Sequence, residues 1–199
     1  MKKQHFVSWI RIGFGVLGLA AIVTQLYDGI LHGRNIANFF SFFTIESNIF
    51  AAVLLLVLGV LDLKGIRQKN DFLRGAVTLY MTMTGIIYIL LLSGSANLQI
   101  TLPWVNMVLH YIVPVVILVD WLVSPPARAI SYKKALYWLI FPVAYVLYSF
   151  IRGAFINWYP YPFLNPIQNS WSYIIFMCII ITAGGLILIR LLTLRFQKK

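Results

Sequence analysis

The sequence predicts an all-α integral membrane protein, with six transmembrane helices in one bundle and both termini cytoplasmic. Three observations lead there. The 199 residues are 61% hydrophobic and only 11% charged, with a mean hydropathy of +0.86. A soluble domain cannot hide that much apolar surface. Apolar runs fall at 6–27, 38–62, 73–92, 103–123, 134–153 and 170–193. Each is near the ~20 residues a helix needs to cross the hydrocarbon core, and none alternates with the period of two that barrel strands require. With six crossings, 14 of the 16 basic residues fall on one side, which the positive-inside rule makes the cytoplasmic one. The length suits a single helical bundle and leaves no room for a separate soluble domain.

Span one follows Met1-Lys2-Lys3, a start like the basic region of a signal peptide. The apolar run is too long for one and has no small-residue cleavage site, so it reads as an uncleaved first span. Arg11 lies near its inner side. Span two runs inward and is followed by Lys64, Arg67, Lys69 and Arg74. Span three leads out to the charge-free segment 93–101. Span four returns from Pro103 and ends with Asp120-Trp121, an interfacial pair whose aspartate has basic residues nearby to pair with. Arg128, Lys133 and Lys134 precede span five. Segment 154–169 is again charge-free, and its run Trp158 to Phe163 holds aromatics and prolines. With Pro166 it predicts a stiff, extended stretch, either an interfacial anchor or a lid over the outer mouth. Span six contains Cys178, a small apolar residue that can form no intrachain disulfide. Arg190, Arg195, Lys198 and Lys199 close the chain, and only Arg34 and Arg152 lie on the outer side. The net charge of +11 is therefore a topology signal and a contact for anionic headgroups, not a nucleic-acid surface.

Three polar residues stand where hydrocarbon is expected: Thr44, Glu46 and His110. Ionisable groups at membrane depth need a partner or a function. Thr44 is about six residues into span two and His110 about seven into span four, roughly 9 and 10 Å at 1.5 Å per residue. The two are thus expected at matched depth in the outer leaflet. Ser47 and Asn48 follow Thr44 by three and four residues and share its helix face, while Glu46 points away, toward a cation such as Arg152. Tyr145, Tyr148 and Arg152 form one stripe on span five. Arg152 either snorkels to the interface or holds a carboxylate or phosphate headgroup. A hydroxyl beside an imidazole is the pairing in which a weak nucleophile gains a general base, and the neutral imidazole that base catalysis needs is the form favoured away from water. Ser47 or Asn48 could then donate to a developing oxyanion. The simpler alternative is that Thr44 bonds its own backbone, as threonines in membrane helices often do. His5 and His32 lie near membrane edges and read as surface residues. One deep histidine and one glutamate are too few for a closed zinc site, so no metal and no cofactor is expected.

Three segments also resemble a known group of proteins: Phe42-Phe43-Thr44-Ile45-Glu46-Ser47-Asn48; His110-Tyr111-Ile112-Val113-Pro114 followed by Asp120-Trp121; and Arg152-Gly153 followed by Trp158-Tyr159-Pro160-Tyr161-Pro162-Phe163-Leu164. They resemble a bacterial family of six-span membrane proteins. That family is similar to the eukaryotic androgen-induced proteins and the androgen-dependent regulator of tissue factor pathway inhibitor. Those relatives are threonine hydrolases that cleave fatty acid esters of hydroxy fatty acids with one intramembrane Thr and one His. The resemblance implies that Thr44 is the nucleophile, that His110 is the general base, and that the protein resides in a bacterial inner membrane.

The expected function is an intramembrane ester hydrolase opening toward the outer leaflet. Its partner would be a membrane lipid or fatty acid ester, with the acyl chain among spans two to five and Arg152 at the polar end. Two rivals stay open: a lipid-binding membrane protein without catalysis, and a small transporter. A transporter is disfavoured because no repeat relates the two halves and because the inner half of the bundle reads as almost uniformly apolar.

Overall fold

The computed structural model describes residues 2–66, 70–94 and 102–194, with side chains from residue 5 onward. Arg67, Lys69, Arg195, Lys198 and Lys199, residues 95–101 of the charge-free connection and the side chains of Lys2 and Lys3 lie outside the described residues. The chain is 82% helical, and no strand occurs among the described residues. Six of its helices are long and apolar enough to cross a membrane. The long elements are α1 (Lys2–Leu31), α3 (Phe43–Leu63), α4 (Asp71–Leu92), α5 (Pro103–Val123), α6 (Tyr132–Ile156) and α7 (Trp171–Leu194), with a short α2 (Ile36–Phe40) between the first two. The protein is integral to a membrane on this evidence. Packing gathers the chain into two compact units, Met1–Arg128 and Ala129–Lys199.

In the first unit α3 packs against α1 and α4, and α5 packs against α4. The α1–α3 contact is close because Gly59 has no side chain: a Cβ there would lie 2.8 Å from the Ser8 carbonyl oxygen. The core between these helices is Ala51, Ala52, Leu55, Leu79, Met81, Val105 and Leu109, all almost fully buried. Large apolar side chains such as Val16, Val23, Val53 and Val115 remain exposed on the outward faces, as a lipid-facing surface requires.

The expected span at 38–62 is interrupted. Asn35 caps α2, its side chain accepting from the Asn38 N–H at 3.1 Å, and α2 stops at Ser41. Phe42 is extended (φ −84°, ψ 127°), and α3 begins afresh at Phe43. Thr44 is therefore in the first turn of a helix, not six residues into one.

In the second unit α6 opens with an α-turn, Tyr132–Ala135, followed by a tight 3₁₀ segment, Leu136–Leu139, and α7 packs against both. Asn157 ends α6 in the left-handed conformation (φ 52°), donating its N–H to the Gly153 carbonyl at 2.9 Å. The following stretch is extended at Tyr161 and Asn165, as its prolines suggested, but not throughout. It folds into a 3₁₀ turn, Pro162–Leu164, that packs on α7. Pro162 starts that turn, where a missing N–H costs nothing. Asn169 holds it by donating to the Pro162 carbonyl at 2.8 Å. The Tyr161 and Phe163 rings stack with centroids 5.2 Å apart.

Candidate functional site

Proline sets up the local geometry around His110. Pro114 has no N–H and its ring crowds the carbonyl four residues back, which belongs to His110. The helix answers by widening: Val108–Ile112 is a π-helical turn, and the Val113 N–H donates to the Val108 carbonyl. The Leu109 carbonyl thereby loses the donor that a regular α-helix would supply. Helix α4 comes close at this level because Gly85 is there, since a Cβ would meet the Pro114 Cβ at 3.2 Å and the His110 carbonyl oxygen at 3.4 Å. A second π-helical turn, Tyr88–Leu92, follows in α4.

The free Leu109 carbonyl finds its donor on α3. Asn48 Nδ2 donates to it at 3.1 Å and to the Thr44 carbonyl at 2.8 Å. One buried amide therefore ties the first turn of α3 to the π-turn of α5. Thr44 and His110 ride on those two turns. Thr44 Oγ1 lies 3.4 Å from His110 Nε2, with both side chains buried. The second ring nitrogen, Nδ1, is 3.3 Å from the Asn106 carbonyl oxygen. Both contacts are long for hydrogen bonds.

The oxyanion role expected for Ser47 or Asn48 does not fit this arrangement. Both amide hydrogens of Asn48 are engaged on carbonyls. Ser47 has a single hydroxyl proton, and it faces the Thr44 carbonyl at 3.2 Å and Thr84 Oγ1 at 3.0 Å. Thr84 in turn donates to the Tyr80 carbonyl at 2.9 Å. These residues brace the turn that carries Thr44. Glu46 is half-buried, and its Oε2 has no hydrogen-bond partner among the described residues. Tyr148 and Arg152 belong to the second unit. The expected tyrosine stripe does not share one environment, because Tyr145 is buried and Tyr148 is 43% exposed. The Arg152 guanidinium stands 5.2 Å from the centre of the Trp158 ring, a cation–π distance.

The opposite end of the first unit corrects a further expectation. It is not apolar. Arg11 bonds Asp62 and also Asp120, the latter at 2.7 Å from Nε. Arg74 reaches Asp120 at 3.3 Å and Asp71 at 2.9 Å, and donates to the Ser124 carbonyl at 2.7 Å. Its guanidinium also lies 5.6 Å from the Trp121 ring centre. Four helices thus converge on one ionic network. On α3 the thirteen residues between Asn48 and Asp62 are all apolar, so along that helix the two polar layers do not join. The pairing of Asp120 with basic residues was expected, but sequence reasoning missed the wider network because each charge, taken alone, sits near a span end. It missed Tyr88 because a tyrosine barely disturbs the hydropathy pattern, and it passed over Asn106, a polar residue in the first turn of span four. Pro114, four residues after His110, was the readable sign of the π-turn.

Comparison of the chain with protein-family models, with curated proteins and with solved structures finds no match.

Proposed function

We propose that this protein is an intramembrane threonine hydrolase that cleaves lipid esters, with fatty acid esters of hydroxy fatty acids as the substrate class. One observation carries the reading: a buried threonine hydroxyl 3.4 Å from an imidazole nitrogen, on turns tied together by Asn48. Thr44 Oγ1 attacks the ester carbonyl while His110 Nε2 takes its proton. The tetrahedral intermediate collapses, the ester C–O bond breaks, and the leaving alkoxide takes that proton from His110 to depart as an alcohol. Water, deprotonated by the same nitrogen, then attacks the acyl carbonyl; the bond to Thr44 Oγ1 breaks, the proton returns from His110 to that oxygen, and the acyl group leaves as a carboxylic acid. Thr44 sits in the first turn of a 21-residue helix, whose positive dipole end favours negative charge on the intermediate. The basic-residue bias puts the Arg11 end in the cytoplasm, so the site faces the outer leaflet of a bacterial plasma membrane in this reading.

Purified protein incubated with a fluorophosphonate probe and with a fatty acid ester of a hydroxy fatty acid tests the proposal. Labelling and hydrolysis are expected in the native protein and lost in Thr44→Ala and His110→Ala. Full hydrolysis by either variant would rule the mechanism out. A second reading, lipid binding without catalysis, draws on a groove of about 430 Å³ in the second unit, lined by Phe150, Trp171, Ile174, Cys178 and Leu186. It predicts copurifying lipid and no labelling.

A further inference from the structure

We propose that Tyr88 and the Asn106 carbonyl are positioning partners of His110, holding its ring as the Nδ1–H tautomer with the Nε2 lone pair toward Thr44. The inference rests on the hydrolase reading of the Thr44–His110 pair and names what makes that pair competent. A carbonyl oxygen can only accept, so a neutral ring bonded to the Asn106 carbonyl carries its proton on Nδ1. Nε2 is then an acceptor, and it is the nitrogen that faces the Thr44 hydroxyl. The opposite tautomer would set an N–H against that hydroxyl and leave Nδ1 facing a carbonyl, two lone pairs opposed. Such a ring could not take the proton of an attacking threonine.

The carbonyl alone does not fix the ring plane, because rotation about the Cβ–Cγ bond of a histidine is soft. Tyr88 supplies that restraint. Its ring stacks on the imidazole with centroids 3.8 Å apart and planes 19° apart, and it is itself buried. The hydroxyl of Tyr88 accepts from Asn106 Nδ2 at 2.6 Å. The three residues therefore close a loop: Asn106 holds Nδ1 through its main chain and Tyr88 through its side chain, while Tyr88 covers the face of the ring they share. Tyr88 belongs to the π-turn of α4 and His110 to the π-turn of α5, so the stack joins these two π-turns. In function this loop does for His110 what an orienting acid does in a serine hydrolase: it selects the tautomer and the aim.

The test is nitrogen NMR on detergent-solubilised full-length protein labelled with ¹⁵N-histidine. His110 is assigned by the signals lost in His110→Gln. The shifts of Nδ1 and Nε2 report which nitrogen bears the proton. Native protein is expected to show one tautomer, Nδ1–H. Tyr88→Leu, which removes the stack, is expected to give a tautomer mixture and to lower kcat on the ester about 10- to 100-fold with KM unchanged. Tyr88→Phe keeps the stack and loses only the tie to Asn106, and is expected to fall between. An Nε2–H tautomer in native protein overturns the proposal, whatever the Tyr88 variants do. So does a Tyr88→Leu protein with native tautomer and native kcat. The hydrolase reading fails separately, through retained hydrolysis in Thr44→Ala, and the tautomer measurement stands apart from that result.

Discussion

The first unit carries two buried polar layers built on opposite chemistry. At one end two arginines, Arg11 and Arg74, pair with three aspartates, Asp62, Asp71 and Asp120, across four helices. At the other, Thr44, Ser47, Asn48, Thr84, Tyr88, Asn106 and His110 form neutral contacts across three. The ionic layer leaves little to do but hold. Asp120 bridges the two arginines, and each arginine holds a second carboxylate, so the layer links four helices through several part-buried charge-assisted bonds. The neutral layer holds more weakly, and its two contacts to the imidazole are 3.3 and 3.4 Å long. A rigid base beneath an adjustable site is the arrangement a catalytic pair needs, because scaffold precision and local give serve different steps.

The largest expected effect separates the layers by function. Thr44→Ala and His110→Ala should each lower ester turnover at least ~10³-fold, since members of such a unit lose most of the rate singly. Thermal unfolding in detergent should barely change. Asp120→Ala should do the reverse. It removes the carboxylate that bridges Arg11 and Arg74, while each keeps its second partner, Asp62 or Asp71; the cost is about 1.5–3 kcal/mol, read as a lower unfolding temperature and poorer yield. Turnover per folded molecule should stay native. If Asp120→Ala instead abolished turnover in well-folded protein, the contrast between a holding layer and a working layer would collapse.

Asn48 tests the strut between the two turns. Asn48→Ala leaves the Leu109 carbonyl without its donor, at a cost of about 1–3 kcal/mol, and frees the Thr44 turn from the His110 turn. Misplacement of about 1 Å lowers rates on the order of 10²-fold, so kcat should fall by about that factor while KM holds. A drop in KM-based affinity alone would point to substrate contact instead. The smallest effect is expected from Gly85→Ala. The added methyl meets Pro114 at 3.2 Å and the His110 carbonyl at 3.4 Å. A shift of a few tenths of an ångström relieves it, so stability should fall by about 1 kcal/mol, with a few-fold loss of kcat from the displaced π-turn.

Much of the architecture was legible because hydropathy is local. A run of twenty apolar residues predicts a span whatever its neighbours do, and the boundaries at 103–123 agree with Pro103–Val123. The approach of Thr44 and His110 was expected from matched depth, yet the depth argument used the wrong start for α3. The break at Ser41–Phe42 depends on the Asn35 cap and on where α2 ends, and apolar Phe39, Phe40, Phe42 and Phe43 hide it. The donor roles given to Ser47 and Asn48 could not survive for a similar reason. A side chain's capacity to donate is written in its formula, but its acceptor is a carbonyl on another helix.

By itself, then, the sequence determined six apolar helices, a strong charge bias between their ends, and a proline four residues beyond a buried histidine. Each follows from composition or from covalent restriction of one backbone N–H. The tertiary structure alone decided that the proline's π-turn frees the Leu109 carbonyl for Asn48, that Tyr88 covers His110, and that Arg11, Arg74 and three aspartates meet. Those outcomes depend on which helix faces which, and a polar group buried away from water takes whatever partner the packing brings within reach.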